Sequence, residues 1–355
     1  AEAQHHAAPG QLTNAQGHEL IDQLTSYERP YPMLVLTGGD CFERPDLVDL
    51  IEYAVGKGLH VSISPSVTPL FTRERVKAVQ DAGVSVMSMS LDGGSAETHD
   101  AFRGFPGTFD RTIEACHMLN ELGMRFQLNT VFTAKNIHEA PQMLKNAIDL
   151  GAFMFYTFML VPTGRGQHLD MLTPHEREDV LHWLHDNSTR IAIKTTEAPQ
   201  YRRIAFQREA VRQGKAAPAK HGELYHWLTK ETHELLGENI EEPRPPRTPL
   251  AINSGSGFAF IDHTGDVYPS GFLPIHCGSI KDTPFPQIYR ESEVFRALRN
   301  PSGFEGKCGA CEFNHFCGGS RSTAYAMTGN YLASDPSCAH IPAGYTGELP
   351  EGIER

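Results

Sequence analysis

A chain of 355 residues with 40% apolar and 21% charged side chains has material for a large core and is too apolar to be a disordered tract. Its formal net charge of -12 excludes a nucleic-acid footprint, which needs clustered Lys and Arg. No apolar run reaches the roughly eighteen residues that cross a bilayer, and residues 1–12 lack the apolar stretch of a secretory signal, so a cytoplasmic location away from membranes is expected.

Thr13 and Gln16 have the spacing of a capping box and open an amphipathic pattern through Leu20, Ile21 and Leu24. Residues 33–36 predict a short apolar strand ending in Thr37-Gly38-Gly39-Asp40. Four more strands follow at 60–64, 84–91, 125–131 and 153–161. Helical patterns over 45–57, 72–82, 108–122 and 138–150 separate them, each stopped by a glycine: Gly58, Gly83, Gly123 and Gly151. Strict alternation of strand and helix predicts an α/β fold with a parallel sheet and a site at the carboxyl ends of its strands. Gly38, Gly39, Asp40, Ser64 to Ser66, Ser90, Asp92, Gly93, Asn129, Thr130 and the stretch from Pro162 to Arg165 stand at those ends. With five strands visible and a helix opening the chain, one edge of the sheet would lack a neighbour and expose apolar surface. The expectation is that a strand and its following loop precede Ala1 in the gene product.

From about 173 to 250 the pattern turns helical and polar, ending in Glu241-Glu242-Pro243-Arg244-Pro245-Pro246-Arg247, whose prolines mark a connector. Residues 257–262 and 266–269 read as a hairpin around Thr264-Gly265. The organisation expected is therefore a partial barrel over 1–165, a helical connector over 166–250, a cysteine-rich domain over 251–345 and a tail over 346–355.

None of the 18 histidines falls in the H-E-x-x-H spacing of a zinc hydrolase, whereas four of the seven cysteines cluster late, as Cys308-x2-Cys311-x5-Cys317-x20-Cys338. Thiolates are the soft ligands of iron-sulfur clusters and of structural zinc, and the neighbouring Gly309, Gly318 and Gly319 let backbone amides approach. Spacing alone leaves iron-sulfur and zinc both open.

Cys308-Gly-Ala-Cys-Glu-Phe-Asn-His-Phe-Cys-Gly-Gly-Ser-Arg321, followed by Asp335-Pro-Ser-Cys338, resembles the auxiliary-cluster (SPASM) domain of radical S-adenosylmethionine enzymes. Thr37-Gly38-Gly39-Asp40 is similar to that superfamily's Gly-Gly-Glu motif. Ser88-Met-Ser-Leu-Asp92-Gly93 and Thr98-His-Asp-Ala-Phe-Arg103-Gly104 match two more of its signatures. Gln127 to Thr130, Leu160 to Gly166 and Tyr268 to Pro274 are most like the heme and heme d1 biosynthesis branch, the Fe-coproporphyrin decarboxylase-like proteins.

The resemblance implies a TIM-like (β/α)6 barrel without its first strand, carrying a small C-terminal domain that holds an auxiliary 4Fe-4S cluster on Cys308, Cys311, Cys317 and Cys338. It implies S-adenosylmethionine bound by Gly38, Gly39, Asp40, Ser90, Asp92, Arg103 and Asn129. The family's C-x3-C-x2-C loop, which holds a second 4Fe-4S cluster in the intact protein, is not in this sequence; as written, the chain should not initiate radicals. Cys41, Cys116 and Cys277 are not expected to replace it, since buried free cysteines behave as small hydrophobes. The implied activity is an oxidoreductase acting through a 5′-deoxyadenosyl radical on a tetrapyrrole, with Arg165, Tyr201 and Arg203 as contacts to propionates. Flavodoxin or ferredoxin would supply electrons. The alternatives are a SPASM-type peptide maturase and a zinc- or iron-binding scaffold without catalysis.

Overall fold

The computed structural model describes residues 9–240, 243–244 and 250–354. Helix α1 (Asn14–Leu24) starts on the expected capping box: the Gln16 N–H donates to the Thr13 hydroxyl at 3.3 Å, and the Thr13 N–H donates to the Gln16 side chain at 2.9 Å. Strands β1 (Leu34–Leu36), β2 (Val61–Ile63), β3 (Val86–Ser90), β4 (Phe126–Phe132), β5 (Met154–Met159) and β6 (Ala192–Thr196) form one sheet in that order. Every neighbouring pair is parallel.

Between the strands run α2 (Leu47–Gly56), α3 (Arg73–Asp81), α4 (Ala96–Arg103), α5 (Thr108–Glu121), α6 (Ala140–Asp149) and α7 (Pro174–Asn187). The two-residue period of a strand sorts its side chains between the faces of the sheet. On one face Phe126, Leu128, Phe132, Phe155 and Met159 are buried and join the apolar sides of the helices in one continuous core. Each such side chain contributes on the order of 1.5–3 kcal/mol by leaving water. On the other face Gln127, Asn129, Val131, Met154, Tyr156 and Phe158 are only half-buried, so that face is open.

The sheet has six strands where the sequence suggests five, and it continues into the stretch read as a helical connector. Residues 166–250 contain α7, the edge strand β6, α8 (Gln200–Arg212) and α9 (Glu223–Leu236). The physical reason is that β6 pairs on one side only, so Lys194, Thr195 and Thr196 stay at least partly exposed and the segment never builds an apolar run. At the opposite edge β1 also pairs on one side, and Met33 and Val35 are 62% and 46% exposed. Most of the proline-rich stretch, 241–242 and 245–249, lies outside the described residues. The expected hairpin is present as β7 (Phe260–Ile261) and β8 (Val267–Tyr268), with the Asp262 carboxylate accepting the N–H groups of Thr264 and Asp266. Short helices α10 (Phe285–Glu291), α11 (Glu293–Leu298), α12 (Gly306–Ala310) and α13 (Arg321–Thr328) complete the chain. Among the described residues no helix is long and apolar enough to cross a membrane.

Helix α7 buries His182 and half-buries His185, and desolvation pushes both imidazoles down to about 4. Their folded pKa lies below the unfolded value of 6.5, so the unfolded chain takes up more protons between the two. Stability is therefore complete above pH 6.5 and falls as the pH drops toward 4. Thermal unfolding of a His182→Gln, His185→Asn double variant should show a flatter Tm profile across that window than the parent; equal slopes would contradict the assignment.

Candidate metal centre and cofactor site

The four late cysteines converge. Cys308 in α12, Cys311 just after it, Cys317 in the next turn and Cys338 on a later loop line one cavity with Arg203, Lys307, Gly318, Gly319 and His340. Gly318 and Gly319 take φ values of 71° and 68°, which side chains other than glycine adopt only with strain. A Cβ on Gly319 would stand 3.0 Å from the Cys308 Sγ. Donors already point at the sulfurs: the Asp335 N–H and the Arg321 guanidinium reach Cys308 Sγ at 3.3 and 3.4 Å, and the Phe313 N–H reaches Cys311 Sγ at 3.4 Å.

Burial pushes the Cys317 thiol up to about 11 and Cys338 up to about 12, so without a metal these sulfurs stay protonated at neutral pH. Four convergent thiols, glycines that permit close approach and sulfur-directed N–H groups fit an iron-sulfur cluster. A mixed donor set overlaps it, since ligand atoms of Cys311, Glu312 and His340 lie within 4.8 Å of one another. His340 is held by Glu312, at 3.0 Å.

The barrel side closes this cavity. Arg203 of α8, 2% exposed, donates to both oxygens of Glu178 on α7, at 2.8 and 2.6 Å. Arg202 donates to the carbonyls of Leu250, Ile252 and Cys317 at 3.0, 2.6 and 3.0 Å. Glu197 follows β6 at a φ of 56°, and its carboxylate accepts from the Ser320 and Ser322 hydroxyls at 2.6 and 3.0 Å. Gln200 donates to Asp335 at 2.6 Å, and the same Asp335 oxygen accepts the Ser320 N–H at 2.7 Å. Lys307 donates to the Cys338 carbonyl, and buried Arg177 donates to the Glu197 carbonyl.

Two expectations change here. Tyr201 and Arg203, expected as contacts to propionates, are both buried: Tyr201 is 5% exposed in the helical core and Arg203 lines the cysteine cavity. The reason is that the first turn of α8 packs between α7 and the cysteine-rich segment, where Arg203 pairs with Glu178 and Arg202 donates to the Cys317 carbonyl. The side chain of Arg165 lies outside the described residues.

At the other strand ends, Gly38 takes a φ of 153° with nothing near a would-be Cβ, in an exposed loop with Gly39. Asp40 caps the turn after it: its carboxylate accepts the Phe42 N–H at 3.1 Å and the Thr68 hydroxyl at 2.6 Å. Asp92 is 1% exposed and ties β3 to β4 by accepting the Val131 N–H at 2.8 Å; its second oxygen lies 2.5 Å from Arg103 at the end of α4. Ser90 and Asn129 are in register and share the open face. Cys41 and Cys116 are buried in the core with thiols pushed up to about 12 by desolvation, and Cys277 donates to the Ile275 carbonyl, so none joins the quartet.

The radical SAM superfamily model matches residues 7–147. An AdoMet-dependent heme synthase of Oleidesulfovibrio alaskensis is 38% identical over 346 residues, covering 96% of this chain and 83% of that protein. The AdoMet-dependent heme synthase of Methanosarcina barkeri is 38% identical over 336 residues, covering 94% and 89%. The pre-heme d1 synthase of Dinoroseobacter shibae is 29% identical over 350 residues, covering 96% and 81%. Of solved structures, anSMEcpe with bound AdoMet matches with a TM-score of 0.60 at 14% identity over 91% of this chain and 84% of that one. Streptococcus suis SuiB bound to S-adenosylmethionine matches with a TM-score of 0.62 at 13% identity, over 93% and 71%. These two show the fold, and identity of more than a third across nearly the whole chain shows the family: the protein belongs to the radical SAM superfamily.

Proposed function

We propose that this radical SAM enzyme modifies a side chain of a tetrapyrrole and carries an auxiliary 4Fe-4S cluster on Cys308, Cys311, Cys317 and Cys338. The convergence of those four cysteines on one cavity carries the reading, supported by relatives named for heme and pre-heme d1 synthesis. When bound, such a cluster would accept the electron released as the substrate is oxidised, while flavodoxin or ferredoxin would supply the separate electron for S-adenosylmethionine cleavage. The chain's own residues do the holding. The Asp335 N–H and Arg321 orient Cys308, while Arg203 and Lys307 set positive charge beside what would be an anionic thiolate centre. Cys308 and its partners fit that auxiliary centre; the C-x3-C-x2-C motif of the S-adenosylmethionine-cleaving cluster is not among the seven cysteines of this sequence.

For S-adenosylmethionine, Gly38 and Gly39 would let the backbone approach the methionine amine, and Ser90 and Asn129 would meet ribose hydroxyls from the open face. Asp40, Asp92 and Arg103 shape that site by fixing the loops around it, since their charged groups are already partnered. The test is metal analysis of protein purified and reconstituted without oxygen. About four iron and four sulfide per chain, with a broad absorption near about 400 nm, are expected. Stoichiometric zinc and no colour would overturn the iron-sulfur reading.

A further inference from the structure

Four residues form one row across the open face of the sheet. Ser90 of β3 is in register with Asn129 of β4, Asn129 with Tyr156 of β5, and Tyr156 with Lys194 of β6. Partners in register in a parallel sheet share a face, and strands about 4.8 Å apart put Lys194 roughly 14 Å from Ser90. The Ser90 end is where the cofactor would lie; the Lys194 end is different chemistry. Its ammonium stands over the Tyr156 ring, 4.6 Å from the centroid. The Tyr156 hydroxyl is tied to Thr196, and its ring lies 4.6 Å from that of Phe158. Phe272, brought in by the loop after β8, meets Phe158 edge-on at 6.4 Å and is 37% exposed. Among the described residues no carboxylate pairs with Lys194, which is itself exposed.

Aromatic rings from barrel and C-terminal segment that meet on the open face of the sheet, with an unneutralised cation at their margin, suit a flat conjugated molecule that carries a carboxylate. The rings bury the macrocycle, and the cation meets an acidic side chain at its edge. We propose that Lys194 is the substrate's carboxylate anchor and that Tyr156, Phe158 and Phe272 form the surface on which the macrocycle lies. This rests on the tetrapyrrole reading above and names the residues that would select the substrate. A peptide would place backbone amides, and not a broad apolar ring system, against the same wall.

The test is direct binding, followed by tetrapyrrole fluorescence anisotropy on the purified chain, with coproporphyrin III and its methyl ester as probes. The parent should prefer the free acid. Lys194→Met should weaken the acid by about tenfold or more and leave the ester unchanged, because one charge-assisted contact is worth about 1.5–3 kcal/mol. Lys194→Arg should keep most of the acid preference, and Phe158→Ala should weaken acid and ester alike. Lys194 is exposed on an edge strand, so the variant keeps its fold, which unchanged iron content and Tm verify. If the parent discriminates acid from ester and Lys194→Met does so equally, the anchor assignment is wrong while the function stands. If the parent binds neither probe but takes up its cluster, the tetrapyrrole reading falls and the anchor with it.

Discussion

Serine in place of Cys317 or Cys338 is expected to leave reconstituted protein with less than half the parent's iron and sulfide and with a lower Tm. Both sulfurs are buried in the C-terminal segment, where the backbone is mostly turns and five- to eight-residue helices with little core of their own. In such a segment the free energy of metal binding is also free energy of folding, so a lost ligand is felt as lost structure. Cys116→Ser is the control: that thiol lies wholly in the barrel core, and its replacement should cost some stability and no iron. Iron retained at the parent level in both Cys317→Ser and Cys338→Ser would remove them from the ligand set.

The second large effect concerns Glu178 and Arg203. Glu178→Gln leaves a guanidinium that is 3% exposed without its anion, and breaking a buried pair from one side costs about 3–5 kcal/mol. Arg203→Met should cost less, because Glu178 is 22% exposed and can recover water. The pair holds the carboxyl below its usual range and raises the guanidinium, through attraction that outweighs burial. An anionic cluster in the cavity would itself compensate Arg203. Denaturant titrations should therefore show a smaller penalty for Glu178→Gln in iron-loaded protein than in metal-free protein. An equal penalty in both states would mean that Arg203 does not sense the centre.

What could be read from the sequence was what is local along the chain. The cysteine quartet shows itself because three of its members fall within ten residues, and the glycine-stopped helices show themselves because each βα unit repeats the same pattern. Strand β6 stayed hidden because an edge strand with Lys194, Thr195 and Thr196 satisfies the sheet by backbone pairing and needs no apolar run. The shell of the cysteine cavity was illegible for another reason. Glu178, Glu197, Gln200 and Arg203 stand more than a hundred residues before the cysteines, and only the three-dimensional pairing of α7, β6 and α8 with the late loops gives them a role. Arg321 alone carried a local signal, four residues after Cys317 behind a Gly-Gly turn.

The contacts of Glu197 and Gln200 with Ser320, Ser322 and Asp335 bear on how such proteins can be recombined. A cysteine-rich segment grafted from a relative onto this barrel would arrive with hydroxyls and an aspartate aimed at a buried carboxylate and amide it had never met. Any mismatch there would leave a polar group stranded away from water, at about 1–3 kcal/mol each. A workable crossover point therefore lies upstream of residue 192, so that the last strand and the helix after it travel with the segment they fasten.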